Sequence, residues 1–186
     1  MSLIDQLTAF RPFNEQEAVD RDLILRCLRT EDHVFERQNL LVHMTASAWI
    51  TNPSRTKVLM AFHNLYQSWA WLGGHADGET DLLSVALREA QEESGLQHVR
   101  PVMEDIFSLE ALPVFGHEKK GVYVPCHTHL NLTYLLEADE CETLTVKPDE
   151  NSGVKWFTLD GAIAACTEPW MAERIYSKLN GKLRAL

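Results

Sequence analysis

Apolar and polar residues alternate in the segment HMTASAWIT, over residues 43–51. Alternation of this kind predicts a β-strand with one buried face, formed here by Met44, Ala46, Ala48 and Ile50. The NPSR segment that follows predicts a turn, and KVLMAFH predicts a second strand. The two strands are therefore expected to form a hairpin.

Further strand-like runs occur near residues 106–114, near 122–136 and in the segment VKWFTL. The charged segment GHEKKG lies between the first two of these runs, and its composition predicts a mobile loop. The strands therefore fall on both sides of the middle of the chain, where the pattern changes to that of a helix.

Helical patterns occur at both ends of the chain and in its middle. A helix is expected from Asn14 to about Arg29, with Asn14 as its N-cap and Glu17 at the capping-box position. A central helix is expected over about 81–93 and ends at Gly95. Residues 160–165 and the segment WMAERIYSKLNGKL predict two more helices. No repeat or clear linker divides the chain, so one domain over 1–186 is expected.

Composition narrows the classes of function. The 186 residues carry a formal net charge of −10, which argues against broad contact with a nucleic-acid polymer, since that contact needs a basic surface. A small phosphorylated substrate stays compatible, because a bound cation can invert the sign of the local charge. No apolar stretch approaches the length of a transmembrane helix, so no membrane partner is expected.

Four cysteines are scattered without a C-x-x-C pair, at Cys27, Cys126, Cys141 and Cys166. This scatter is typical of reduced thiols and predicts a cytoplasmic protein. The segment MSLIDQLTAF lacks a basic region followed by an apolar run, so it is not expected to act as a secretory signal.

The central helix carries three glutamates, Glu89, Glu92 and Glu93, spaced three and four residues apart. Like charges at this spacing destabilise a helix by a few tenths of a kcal/mol per pair. On a helical wheel they lie on an arc of about 100° beside an apolar stripe. That stripe consists of Leu83, Ala86, Leu87 and Ala90. The glutamates are therefore expected to be partly buried and to converge on one small volume.

Carboxylates at this density are suitable ligands for Mg²⁺ or Mn²⁺. The pair Gly73 and Gly74 stands upstream, where backbone can approach a ligand closely and a carbonyl can face a metal. Arg88 precedes the first glutamate and can orient a carboxylate. The alternative is an ordinary solvated acidic face, and the glutamates alone do not exclude it.

The segment LGGHADGETDLLSVALREAQEESG, residues 72–95 and the following Leu96, resembles the Nudix box, G-x5-E-x7-R-E-U-x-E-E-x-G-U with U aliphatic. Gly73 or Gly74 opens it, and the second half is matched by Arg88, Glu89, Ala90, Glu92, Glu93, Gly95 and Leu96. Ala90 is small for its aliphatic position. Thr80 stands where an early glutamate is expected, and Glu79 comes one place sooner, which indicates a locally shifted loop.

The resemblance implies an α/β (α+β) Nudix fold, with a mixed β-sheet packed between helices. Residues 1–40 would be a helical extension and 41–186 the Nudix core. It also implies Mg²⁺ or Mn²⁺ as cofactor, with Gly73, Glu89, Glu92 and Glu93 as ligands. A further ligand in this superfamily often precedes a late strand, where this chain has Glu150; an ordinary surface carboxylate is the alternative.

The activity implied is metal-dependent hydrolysis of a diphosphate linkage in a nucleoside diphosphate joined to another group. Glu89, positioned by Arg88, is the expected general base. An inactive nucleotide-sensing module is the alternative, although such modules typically lose the box glutamates. An isoprenoid diphosphate isomerase is disfavoured, since the loop GGHADGE has no cysteine. A homodimer is implied by the resemblance alone, and the sequence does not identify the nucleotide derivative.

Other residues offer weaker candidates. His75 and Lys119, with its neighbour Lys120, could contact phosphate, or belong to an ordinary loop and a solvated turn. His127 and His129 share one face of a strand, and H-x-H could bind zinc, but no third ligand is evident. The aromatic residues Tyr66, Trp69 and Trp71 could stack on a base or line the core.

Overall fold

A mixed β-sheet forms the centre of the molecule in this computed structural model, which describes residues 1–119 and 121–186. The helices are α1 (Leu3–Ala9), α2 (Glu15–Thr30), α3 (Leu82–Ser94), α4 (Leu159–Ala165) and α5 (Ser177–Arg184), the last preceded by a π-helical segment, Met171–Tyr176. The strands are β1 (Val42–Thr51), β2 (Lys57–His63), β3 (Ser68–Ala70), β4 (Leu72–His75), β5 (Arg100–Pro101), β6 (Ser108–Val114), β7 (His117–Lys119), β8 (Val122–Val124), β9 (His127–Glu137) and β10 (Asn151–Thr158).

The sheet is ordered β10-β2-β1-β9-β5. The predicted hairpin of β1 and β2 is confirmed, and β4 pairs with the first half of β1 on the same edge. β1 and β9 pair in parallel over their whole length, with His43 opposite His129. Strand β6 pairs with β9. The parallel pair therefore forms the middle of the sheet, flanked by antiparallel neighbours.

Helices cover the sheet on both faces, as the resemblance implied. One apolar cluster joins α1, α2 and α3 to the even-numbered side chains of β1, such as Met44 and Ile50. The other joins α4, the π-helical segment and α5 to Trp49 on the opposite face of β1. Nearly every residue of β1 is buried for this reason, although its sequence predicted only one buried face. The predicted α/β fold with a mixed sheet between helices is confirmed.

Local capping explains why the predicted helices form where they do. Asn14 accepts a hydrogen bond from the amide of Glu17 at 3.0 Å, and the Glu17 carboxylate accepts one from the amide of Phe13. Asp81 caps α3, and Gly95 ends it with φ of 76°, in the left-handed region that favours glycine. The boundaries of the central helix, predicted from about Asp81 to Glu93, are confirmed to within one residue.

Three predictions about secondary structure were wrong or incomplete. Helix α1 was not predicted, although Ser2 and Asp5 form a capping box at its start. The GHEKKG loop instead begins with β7, which pairs with β8. The long run near 122–136 is broken at Pro125, because proline cannot donate a hydrogen bond to a sheet.

None of the described helices combines the length and apolarity that crossing a membrane requires.

A buried ionic network joins α2, β6, β9 and α5. The Glu110 carboxylate accepts hydrogen bonds from Lys178 Nζ, Asn131 Nδ2 and Thr133 Oγ1, all at 2.9 Å. Glu17 accepts hydrogen bonds from Lys182 Nζ and the Ser108 hydroxyl, both at 2.8 Å. Both carboxylates are fully buried, and each has a lysine and further donors around it.

Candidate active site

A cleft of about 1550 Å³ opens along the end of the sheet. Its wall includes residues from β1, β4, β9, α3 and the loop before β10. Two groups of side chains with metal-binding chemistry lie in this wall, one of carboxylates and one of histidines. The central strands and α3 therefore bring residues from distant parts of the sequence to one surface.

The carboxylate group consists of Glu89, Glu93 and Glu150. One oxygen from each lies within 4.8 Å of the other two. Glu89 and Glu93 are one turn apart on α3, so they point to the same side of the helix. Glu150 stands immediately before β10, the strand that begins at Asn151, and this position brings it to α3. Asn151 holds that junction, since its side-chain amide donates to the carbonyl of Glu93 at 3.1 Å.

Gly73 and Gly74 allow strand β4 to pass close to these carboxylates. A Cβ atom on Gly74 would lie 2.5 Å from the carboxylate carbon of Glu89. A Cβ atom on Gly73 would lie 2.5 Å from the carbonyl oxygen of Ala46 in β1. The amide of Gly73 donates to Glu93 Oε2 at 3.2 Å. The glycine pair is thus needed for the packing of β4 between β1 and α3.

Burial changes the acidity of the two helix carboxylates. Glu93 is 6% exposed, and burial raises its pKa to about 8 despite the hydrogen bond from Gly73, with repulsion from Glu150 and Glu89 adding to the rise. Burial also raises the pKa of Glu89, against the opposing hydrogen bond from Arg88. A cation bound between these carboxylates would offset the repulsion between them and stabilise their charged forms.

Two cationic side chains border the carboxylates. Arg88 Nη2 donates to Glu89 Oε1 at 3.2 Å, as expected for a residue that orients this carboxylate. Lys147 Nζ lies 2.9 Å from Glu150 and 3.2 Å from Glu92. Burial opposes the charge of Lys147, but these two hydrogen bonds raise its pKa above the ordinary value. Lys147 was not singled out in the sequence.

Glu92 does not join the group of converging carboxylates in this structure. Its side chain is exposed and pairs with Lys147 and, at 4.0 Å, with Arg88. The helical wheel placed it with its neighbours, but the buried side of α3 is centred on Leu82, Ala86, Ala90 and Glu93. That centre is rotated from the predicted stripe, since Leu83 and Leu87 are only partly buried.

The histidine group lies on three adjacent strands. His75 ends β4, His43 is near the start of β1, and His129 is near the start of β9. One ring nitrogen from each lies within 4.8 Å of the other two. His127 stacks on His43 with ring centroids 4.7 Å apart, and its Nε2 lies 3.1 Å from Nε2 of His129. Two other strands thus place His43 and His75 beside the H-x-H segment, where the sequence alone showed no further candidate ligand.

Arg37 and Asp77 add an ion pair at the edge of the cleft. The guanidinium donates to both oxygens of Asp77, at 2.6 and 2.5 Å, and lowers the pKa of that carboxyl.

The aromatic and lysine candidates from the sequence differ in where the structure places them. Tyr66 and Trp71 line the cleft, whereas Trp69 packs against Phe157 in the core. Lys120 and the side chain of Lys119 lie outside the described residues, so their contact with phosphate stays a prediction.

The donor set at the carboxylates is suitable for a hard divalent cation. Three carboxylate oxygens within 4.8 Å, two of them on side chains whose pKa is raised, form a compact and electrostatically unsatisfied group. Mg²⁺ and Mn²⁺ prefer such oxygen ligands. Glu89, Glu93 and Glu150 together could hold such an ion.

A family model described as the NUDIX domain matches residues 41–178 of the chain. Among curated proteins, none matches it significantly.

Solved structures with the same fold include a C. elegans Ap4A hydrolase in a binary complex. It is 21% identical, with 76% of this chain and 95% of that one covered and a TM-score of 0.54. A NUDIX family hydrolase from Clostridium perfringens is 19% identical, over 77% and 97% of the two chains, with a TM-score of 0.52. The E. coli dihydroneopterin triphosphate pyrophosphohydrolase is 16% identical, over 73% and 92%, with a TM-score of 0.53.

Proposed function

Because the chain belongs to the Nudix family, we propose that it is a pyrophosphohydrolase of that type. It would cleave a diphosphate linkage in a nucleoside diphosphate joined to another group, with Mg²⁺ or Mn²⁺ as cofactor. The observation that carries the proposal is the convergence of Glu89, Glu93 and Glu150 within 4.8 Å on the wall of the cleft. A solvated acidic face would not bury Glu93 to 6% exposure.

The bound cation would screen the charge of the diphosphate and acidify a water molecule. Glu89 is the proposed general base, because Arg88 orients its carboxylate and because it lies within 4.8 Å of the other two carboxylates of the group. The water would attack one phosphorus as its proton passes to Glu89. The bond from that phosphorus to the bridging oxygen would break, and its electron pair would leave on that oxygen with the departing phosphate group.

Each metal-binding residue has a separate structural role in this proposal. Glu93 is held by the Gly73 amide and Glu150 by its place before β10. The Gly73 carbonyl is the proposed backbone ligand. Glu92 would join the ligand set by leaving Lys147, which would keep its ion pair with Glu150.

The proposed substrate is a small nucleotide derivative, and several features of the cleft support this class. Its volume of about 1550 Å³ exceeds the ~300–1,000 Å³ of a typical ligand pocket. Tyr66 and Trp71 line it and can stack on a base. His75 and Lys119 are proposed to contact phosphate. The negative net charge of −10 disfavours a nucleic-acid polymer as substrate.

The remaining expectations from the sequence are part of the proposal. All four cysteines are free thiols, which supports a reducing compartment such as the cytoplasm. Residues 1–40 are proposed as an extension of the core over 41–186, and a homodimer is proposed from the family resemblance alone.

A substrate panel with identification of the products tests the proposal. Purified protein would be incubated with Mg²⁺ and ADP-sugars, dinucleoside polyphosphates, modified nucleoside triphosphates, dihydroneopterin triphosphate and coenzyme A. Hydrolysis in ¹⁸O-labelled water identifies the phosphorus that is attacked. We expect release of a nucleoside phosphate from one class and loss of this release in excess EDTA.

Two outcomes would contradict the proposal. Tight binding of a nucleotide without product release would favour the sensing module. Full turnover after verified removal of all metal would exclude the proposed chemistry.

A further inference from the structure

Four clustered histidines, His43, His75, His127 and His129, line the same cleft as the carboxylates but form a group of their own. Hydrogen bonding in the sheet fixes three of them side by side, since β1 pairs with β4 on one edge and with β9 on the other. The ring centroids of His43, His75 and His129 are 4.8 to 5.1 Å apart. Four imidazoles in contact on rigid strands are an unusual arrangement, and their positions are set by the register of the sheet.

His43 has the orientation of a metal ligand. Its Nδ1 lies 3.0 Å from the carbonyl oxygen of Asn39, which can only accept a hydrogen bond, so Nδ1 carries the proton. Nε2 then presents a lone pair, and this buried atom has no hydrogen-bond partner among the residues described. A backbone carbonyl behind the remote nitrogen is the usual support of a ligating imidazole.

The residue itself is 5% exposed, and a buried acceptor without a hydrogen-bond partner destabilises the folded state. A histidine that served only packing would be expected to satisfy both ring nitrogens. A ligand bound at Nε2 of His43 removes this cost. His127 also directs its Nδ1 proton to a backbone carbonyl, that of Pro125 at 2.9 Å, so its Nε2 accepts a hydrogen bond from Nε2 of His129 at 3.1 Å. Nδ1 of His129 is then the nitrogen that can bind an ion.

We propose that His43, His75 and His129 form a three-histidine site for a zinc ion, with His127 as a positioning residue beside His129. Imidazole nitrogens favour zinc and similar transition metals, whereas Mg²⁺ prefers oxygen ligands. Zinc–nitrogen bonds of ~2.0–2.1 Å require ligand nitrogens about 3.4 Å apart. The nitrogens of the cluster, within 4.8 Å, would reach this spacing by small rotations of the rings.

Three protein ligands leave a fourth coordination position for a small molecule. All three histidines line the cleft together with Glu89 and Glu93, so that position is accessible from the cleft. It would bind an oxygen of an anionic substrate, a step that rests on the proposed function. The zinc site itself does not depend on the hydrolysis.

Cobalt substitution tests the site without measuring turnover. Protein from which any affinity tag has been removed would be freed of metal and titrated with Co²⁺, whose visible absorption reports a site with nitrogen ligands. We expect one equivalent to give the absorption and Zn²⁺ to displace it. His75→Ala and His129→Ala should each weaken binding by at least about tenfold.

Two controls separate this site from others. His98→Ala removes a histidine that is 89% exposed and should leave the titration unchanged. Glu93→Gln should also retain the absorption, although it removes a proposed Mg²⁺ ligand. Thermal unfolding of each apoprotein shows which variants are folded. An alanine variant that is not folded is replaced by the asparagine variant at the same position, His75→Asn or His129→Asn.

The proposal is overturned if folded His75 and His129 variants bind Co²⁺ as the wild type does. It is also overturned if Glu93→Gln alone abolishes the absorption, because the ion would then be bound at the carboxylates. Since neither readout uses a substrate, failure of the zinc site leaves the proposed hydrolysis untouched. Absence of product release would likewise leave the zinc titration interpretable.

Discussion

The molecule buries carboxylates in two regions and treats them differently. In the core, Glu17 and Glu110 are fully buried, and each is within hydrogen-bonding distance of a lysine and further donors. In the cleft, Glu93 is almost as deeply buried, but among the residues that the structure describes its one hydrogen-bond donor is the amide of Gly73, and two other carboxylates adjoin it. Sequence alone does not separate the two groups, since all are glutamates on or beside regular elements.

The comparison shows which charges serve the fold. A buried carboxylate that has a cationic partner and further hydrogen-bond donors is compatible with a stable fold. A buried carboxylate beside other carboxylates destabilises the fold until a cation binds. The raised pKa of Glu93, about 8, reports this unfavourable environment. Sites of this kind are retained for function more readily than for stability.

The largest effect should come from removing a cation of the core network. Lys178→Met leaves Glu110 buried without its lysine, and we expect the free energy of unfolding to fall by about 3–5 kcal/mol. Chemical denaturation measures it. Lys155→Met, on the surface, is the control and should change stability by less than about 0.5 kcal/mol. The double variant Glu110→Gln, Lys178→Met should recover part of the lost free energy of unfolding. If it recovered none, the unpaired charge of Glu110 would not be the cause of the loss.

Neutralising Glu93 should have the opposite effect on stability. Glu93→Gln removes a carboxylate from a repulsive group, so the metal-free protein should be as stable as the wild type or slightly more stable. The variant should lose most of the Mg²⁺-induced rise in melting temperature, and turnover should fall by orders of magnitude. Thermal unfolding with EDTA and with Mg²⁺ measures the first two quantities. Glu104→Gln, at an exposed position, is the matched control. If Glu93→Gln kept wild-type turnover and the same Mg²⁺-induced rise in melting temperature, the glutamates of α3 would be an ordinary solvated acidic face.

The pH dependence of stability sharpens the comparison. Glu93 has a folded pKa of about 8 against an ordinary 4.5, so between these values the folded protein binds a proton that the unfolded chain has lost. Its contribution to the free energy of unfolding therefore decreases as pH rises through this window. Denaturation in EDTA from about pH 5 to about pH 9 should show a decrease for the wild type that Glu93→Gln reduces. Equal pH profiles of stability for the two proteins would show that the pKa of Glu93 is not raised in the folded protein.

An exposed carboxylate should matter least. Glu79 Oε1 accepts the amides of Thr80 and Asp81, at 2.7 and 2.9 Å, before α3. Glu79→Gln keeps an acceptor and should cost less than about 1 kcal/mol. Thr80→Ala keeps the backbone amide that makes the contact and should be nearly neutral in denaturation and in turnover. If a folded Thr80→Ala protein were inactive, the shifted-loop interpretation of the box would be wrong.

Local signals predicted the central helix and the first hairpin. Asp81 and Gly95 mark the ends of α3 by capping chemistry that acts within a few residues, and NPSR marks a turn in the same way. The family resemblance rested on the same local stretch. These features depend on neighbouring residues, so the sequence displays them directly.

Long-range placement was beyond the sequence. No local pattern shows that β1 and β9 pair in parallel, so His43 was not seen as a neighbour of His129. Lys147 and Glu92 likewise pair through the tertiary fold, across 55 residues. The helical wheel gave the correct faces of α3 only approximately, because the position of β4 decides which arc is buried.

The parallel pairing of β1 with β9 also bears on the order of folding. Thr45 and Asn131 are opposite each other but 86 residues apart in the chain. Contacts of such long sequence separation slow folding, since a long loop must close before they form. Helix α3 and the first hairpin can form early, whereas the proposed carboxylate and histidine sites are completed only by residues distant in the sequence, Glu150 and His129. A nascent or partly folded chain would therefore carry the motif without either finished site, and metal binding would begin late, when the last strands of the sheet have been added.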